Sequence, residues 1–437
     1  MLIYARKNSP RLNYTLNVLF KNLLSLEYTL VNDFLFYQEA DGPKIHYGEN
    51  KWEGDMVFLH AMPLLFEEGI NPNVPICIWI NEKPALFPAG EESDWPFDLL
   101  AMLFYLLSRY EEYLPFNADQ YGRFPATESI AYQQHFLNRP ILNEWVVSFR
   151  AFLQKKWPSL SFPVPEYTFQ LTYDIDMAWA YLHRPWWRLL GGGVLQLLRG
   201  QWQAFMERWM VVSGKKEDPY FVFNYLEKMT EKYNLSPLYF WLLGDPGRYD
   251  INPSPSIPAF RRLIQSVSGS NRVGIHPSFA SNNKEGQLGI EIKRLEEMTK
   301  TPVKRSRQHF LILSFPVTYR QLVQQGIKAD YSMGYADQTG FRAGIASAFP
   351  WYDLENETIT SLIIHPFMVM DVSLKQYLGL SPKAAIQQTQ DLVKITRAVG
   401  GTFTLLWHNS SFAPLLGWND WQTVFEEIVA FANSENL

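Results

Sequence analysis

The sequence predicts an α/β fold with a largely parallel sheet or barrel, and three observations support this. From about residue 166 onward, apolar runs of strand length alternate with helix-length segments. Four of those runs, "FQLTYDID", "RVGIHPS", "SLIIHPF" and "TFTLLWHNSS", carry a polar, ionisable group at their far end. Helix punctuation falls between them: Asp218 and Pro219 before one helix, Ser381 and Pro382 before another, Gly400 and Gly401 after it. Alternating strands and helices imply parallel pairing, and such folds keep their chemistry at the carboxyl ends of the strands.

At 437 residues the chain exceeds the usual single-domain range, so two domains are expected. The stretch "KKWPSLSFPVPEYTF" holds Pro158, Pro163 and Pro165, which no regular helix or central strand accommodates. It divides residues 1–160, a smaller α/β domain, from residues 166–437. In the first part, "MVFLHAMPLLF" and "VPICIWIN" read as strands. "DWPFDLLAMLFYLLSRYEEYL" reads as a helix, with Asp98 near its start and Leu99, Met102, Leu103, Leu106 and Leu107 at helical spacing. "DQYGRFPATES" reads as a loop. In the second part the strands are "YTFQLTYDID", "PLYFWLLGD", "RVGIHPS", "RSRQHFLILS" and "TFTLLWH". The helices are "DPYFVFNYLEKMTEKYN", "LGIEIKRLEEMTK" and "KAAIQQTQDLVKITRAV".

Composition excludes several function classes. The net charge is −5, so no global basic field recruits nucleic acid. Cys77 is the single cysteine, which rules out an intrachain disulfide and a cysteine-based metal cluster. The opening "MLIYARKNSPRLNY" does not read as a secretory signal, and no apolar run reaches the ~20 residues that span a bilayer. The expected location is cytoplasmic.

The residues with chemical promise lie at strand ends. Asp174 and Asp176 are two apart and share a strand face, where mutual repulsion calls for a cation or a shared proton. His276 ends an apolar strand as a nitrogen donor of the kind zinc-like metals take. Arg307 and His309 share a face of the next strand. Arg307 is suited to holding a carboxylate ionised, and His309 to either metal ligation or packing. His408 can pass a proton to a leaving group near neutral pH. Trp407 and Asn409, on either side of it, are the expected substrate contacts. His365 and Asp371 occupy a similar strand end beyond the Pro366 turn. For each of these the plain alternative is a solvated or packed strand-end residue.

In order, "TYDID", "HPSFAS", "RQHF", "DYSMGYAD" and "LLWHN" resemble the motifs of the polysaccharide deacetylase family, the NodB-type carbohydrate esterases. The likeness runs from about Thr168 to the C-terminus. It extends to an uncharacterised bacterial branch with an extra N-terminal domain like "FDLLAMLFYLLSRYEEYL". The resemblance implies a distorted (β/α) barrel and a divalent metal, usually zinc, acting on an acetylated sugar or polysaccharide. It implies Asp174 as base, Asp176 and His276 as metal ligands, and Arg307 as a brace for Asp174. The Phe310 N–H would hold an oxyanion and His408 would be the general acid, with Asp330 or Asp337 as the acid that tunes it. Two positions depart from the pattern. Ala280 stands where the family has its second histidine, and His309 stands where it has a proline, so His309 is the candidate to supply the missing ligand.

The segment "WAYLHRPWWRLLGGGVLQLLRGQWQAFMERWMVV", near 179–212, is rich in Trp, Leu and Arg with almost no acid. It reads as a helical insertion covering the barrel mouth, with Trp186, Trp187 and Trp202 packing or stacking on sugar. The alternative is contact with a membrane interface, bringing a lipid-linked sugar to the site. Two functions from other classes compete with the hydrolase. One is a non-catalytic saccharide-binding protein on a deacetylase scaffold, which Ala280 favours. The other is a glycosidase using Asp174 and Asp176 as an acid/base pair.

Overall fold

The computed structural model describes residues 1–72 and 74–434. Strands β1 (Leu2–Tyr4), β2 (Thr29–Val31), β3 (Lys44–Gly48) and β4 (Val57–His60) form an all-parallel sheet in the order β2-β1-β3-β4. An antiparallel hairpin follows, β5 (Cys77–Ile80) with β6 (Lys83–Leu86). The helix Leu99–Leu107 is shorter than its sequence pattern, and all nine of its residues are buried rather than one stripe. A helix apolar on every side belongs inside a core.

Asp98 caps that helix, accepting from Ala101 N at 2.9 Å, and it also accepts from Met62 N and the Tyr47 hydroxyl. Burial raises its pKa to about 6 despite those hydrogen bonds. The folded chain therefore holds this proton more tightly than the unfolded chain. Stability is greatest below the ordinary carboxylate pKa and is lost as pH rises toward 6, by about 3 kcal/mol in all. Urea unfolding midpoints between pH 4 and 6 should slope less in Asp98→Asn than in wild type.

The larger sheet contains β7 (Thr168–Ile175), β8 (Leu238–Leu242), β9 (Arg272–His276), β10 (Arg305–Ser306), β11 (Ala329–Asp330), β12 (Phe349–Asp353), β13 (Thr358–Ile364), β14 (Val369–Met370) and β15 (Thr402–His408). Their order is β12-β13-β11-β10-β9-β8-β7-β15-β14, and only the β12–β13 pair is antiparallel. The architecture is thus mixed α/β around a parallel-rich sheet. Among the described residues no pairing joins β14 to β12, so the expected closed barrel is not formed by strand pairing. The central run Leu238–Leu242 is buried at every position, as a strand covered on both faces requires. Gly274 is needed here because a Cβ would stand 2.6 Å from the Phe240 ring and 2.9 Å from the Arg305 carbonyl.

Two sequence-predicted elements differ. "RSRQHFLILS" pairs only at Arg305–Ser306 and then turns into a short 3-10 segment, His309–Leu311. Asp218 does not cap the following helix, which starts at Phe223. Its carboxylate instead receives the backbone N–H groups of Ala180, Tyr181 and Leu182. Residues before and after the proline-rich stretch share one apolar core, and buried ions tie them together. Arg109 bonds Glu111 and Glu112, Glu112 also pairs with Arg342, and Arg11 pairs with Glu357.

Candidate metal centre

Strand register brings the polar ends together. His408 on β15 lies beside Asp174 on β7, and His276 closes β9 beside Leu242 of β8. Asp176 follows β7 by one residue, and His309 arrives on the turn after β10. Asp176, His276 and His309 each offer one ligand atom, and these atoms lie within 4.8 Å of one another. His276 Nε2 is 3.2 Å from Asp176 Oδ1, and His309 Nε2 is 3.8 Å from Asp176 Oδ2.

The far side of each imidazole is anchored. His276 Nδ1 donates to the Arg307 carbonyl at 2.5 Å, and His309 Nδ1 donates to Asp250 Oδ1 at 3.0 Å. Asp250 is in turn fixed by the N–H groups of Phe279 and Ala280. Anchoring one ring nitrogen sets the tautomer and aims the other at the centre, as in metal sites. Burial alone would raise the Asp176 pKa, but His309, His276 and His408 outweigh it and hold the carboxyl well below its usual range. Burial likewise opposes protonation of His276, yet Asp174 and Asp176 raise its pKa. Asp174 Oδ1 and Asp176 Oδ1 are buried without a hydrogen-bond partner. Two imidazoles, a carboxylate and orphaned carboxylate oxygens are a donor set that fits a divalent cation.

Around the cluster is a cavity of about 220 Å³, lined also by Gln308, Phe310, Tyr121, Arg123 and Tyr377. His408 Nδ1 lies 2.8 Å from Asp371 Oδ1, and Asp371 also accepts the His408 backbone N–H. Burial works against the His408 charge, but Asp371, with Asp176 and Asp174 beyond it, raises the pKa to about 10. Arg307 is fully buried, 3.8 Å from Asp174 Oδ1, bonded to Thr172 Oγ1 and flanked by the Phe240 and Phe367 rings. Phe310 and Leu311 both have positive φ, 58° and 54°, uncommon for large side chains. Arg123 secures that turn by donating to the Phe310 carbonyl at 2.9 Å, while also bonding Asp119 and the Tyr377 hydroxyl.

Four expected roles are corrected. Asp330 sits near Arg307 and accepts from Ser306 and Ser332, and Asp337 receives the Ala126 N–H; the carboxylate on His408 is Asp371. Trp407 points to the opposite face of β15, fully buried among Phe412, Trp421 and Phe425. Trp407→Ala should cost about 3–5 kcal/mol of stability, read by chemical denaturation. Asn409 is also buried and donates to the carbonyls of Met177 and Tyr220, clamping a loop rather than meeting substrate. His365 stacks on Tyr331, away from the cavity. Sequence reasoning missed Asp250, Tyr121 and Arg123, which lie in loops without a periodic signal. For Asp371 the strand-end signal existed but did not single it out over Asp330 and Asp337.

Fold and cluster together define an α/β protein with a candidate metal centre at the carboxyl edge of a parallel-rich sheet. Residues 1–158 match a family of unknown function, DUF7033. No curated protein matches the chain. Among solved structures, a Mycobacterium smegmatis protein assigned to the polysaccharide deacetylases is similar at 16% identity and TM-score 0.40, over 63% of this chain and 87% of that one. A polysaccharide deacetylase from Bacillus cereus is similar at 12% and 0.31, over 60% and 85%. A 4-alpha-glucanotransferase from Thermococcus litoralis is similar at 11% and 0.37, over 62% and 38%. At these scores the likenesses assign no activity to this chain.

Proposed function

We propose that this chain is a metal-dependent hydrolase of the polysaccharide deacetylase type, removing an acetyl group from the nitrogen, or alternatively an oxygen, of a sugar unit. The observation that carries the reading is the convergence of Asp176, His276 and His309, with each histidine anchored from behind. In this reading His309, held by Asp250, takes the ligand position that Ala280 leaves empty.

When bound, a divalent ion such as zinc supplies Lewis-acid polarisation of the acyl carbonyl. The chain's own residues do the rest. Asp174, free of hydrogen bonds at Oδ1 and faced by the Arg307 charge, accepts the proton of the attacking water. The Phe310 N–H is offered to the oxyanion by a turn that Arg123 keeps in its positive-φ form. His408, kept protonated by Asp371, gives its proton to the departing amine. Acetate and a free amino sugar result.

The test is acetate release from N-acetylglucosamine oligomers by full-length protein, stripped with chelator and reloaded with zinc or cobalt. Acetate matched by free amine, and absent from Asp176→Ala, is the expected result. Saccharide binding without acetate would leave a non-catalytic binding protein instead. A smaller change probes the anchor: Asp250→Asn should lower metal affinity about 10–100-fold, the usual effect of losing a ligand's outer partner. Competition against a chelating dye measures it.

A further inference from the structure

The insertion after β7 folds as two helices, Trp186–Leu198 and Trp202–Val212, and its amphipathicity is reversed. Beside the small or apolar Gly193, Ala204 and Val211, the buried side carries polar groups: Gln196 (6% exposed), Glu207 (4%) and Arg208 (8%). Arg208 donates to Gln196 Oε1 and lies over the Tyr181 ring, and Glu207 pairs with Lys216. Solvent instead meets Trp186 (72% exposed), Leu198 (79%) and Trp202 (65%), together with Leu190, Val194 and Met206. A helix pair resting on a soluble core normally does the opposite, and a continuous apolar surface of this kind marks a docking face.

Charge decides what docks. From Trp179 to Lys216, six cationic side chains stand against one acid, the buried Glu207, in a chain whose net charge is −5. Exposed Arg199 and Lys215, with half-buried Arg188 stacked on Trp187, flank the apolar surface. Two copies face to face would bring these like charges together. An anionic bilayer meets both features, taking Trp and Leu side chains at the acyl boundary and cations among its headgroups. We propose that this hairpin is a monotopic anchor that seats the protein on an anionic lipid surface. Its roots are fixed to the edge that carries the candidate metal centre, since Asn409 holds the Met177 and Tyr220 carbonyls on either side of it. The anchor does not depend on the hydrolase reading.

The experiment is flotation of full-length protein with vesicles of phosphatidylcholine alone and of phosphatidylcholine mixed with phosphatidylglycerol. Wild type should float with the mixed vesicles, and Leu190→Ser/Val194→Ser/Leu198→Ser should remain at the bottom with an unchanged circular dichroism spectrum. Arg188→Glu/Arg199→Glu should lower the partition coefficient at least about ten-fold, given two cations each worth on the order of 1 kcal/mol at such a surface. Failure of wild type to float, or equal binding to both vesicle types, would overturn the proposal. So would a wild-type dimer in light scattering that the triple-serine variant dissolves. Acetate release from soluble oligomers should be the same in wild type and both variants, which keeps this test separate from the hydrolase reading.

Discussion

His309→Ala is expected to lower divalent-metal affinity by at least about 100-fold, more than any substitution outside the three candidate ligands. Catalytic zinc commonly takes three protein ligands, and among the described residues His309→Ala leaves two, Asp176 and His276, of the group of three that could hold a metal. The lost imidazole is also the one that Asp250 orients. Titration against a chelating dye gives the affinity, with His365→Ala as a control whose ring packs elsewhere. An unchanged affinity in His309→Ala would remove this residue from the centre.

The second large effect separates chemistry from metal binding. Asp174→Asn and His408→Ala should each lower kcat about 10²–10⁴-fold, the usual contribution of a positioned base or acid. Metal content should stay near wild type in both, because neither residue belongs to the cluster of three. Asp371→Asn should fall in the same direction as His408→Ala but less far, since it leaves the imidazole in place without its carboxylate partner. Steady-state acetate release, with metal measured on the same samples, distinguishes these variants from His309→Ala. Full activity in Asp174→Asn would exclude it as the base.

Much of this arrangement was legible in the sequence because it rests on periodicity. The strands ending in Asp174, His276 and His408 are apolar runs, and parallel pairing necessarily gathers their far ends at one edge. Ser381 caps its helix as its position suggested, accepting from Ala384 N. What failed depended on local turns and on which face a side chain takes. "RSRQHFLILS" has the composition of a strand, yet its pairing stops at Ser306 and the chain then turns through His309–Leu311, with positive φ at Phe310 and Leu311. Trp407 precedes His408 by one residue, and strand alternation alone sends it to the opposite face, into the core. Asp250 and Arg123 reach the site from loops distant in sequence, and only the folded chain brings them near.

The Arg123 contact gives the N-terminal segment a physical part in the site. Its guanidinium is fixed by Asp119 and lies over Tyr121, and it closes on the carbonyl of Phe310. One wall of the cavity is therefore built by residues that precede the proline-rich stretch.

The measurement that bears most directly on the central claim is zinc-edge X-ray absorption on the full-length protein loaded with near-stoichiometric zinc. Two imidazole nitrogens and carboxylate oxygen are expected around the zinc, falling to one imidazole in His309→Ala. A wild-type spectrum with a single imidazole, or a chain that takes up no zinc, would contradict it.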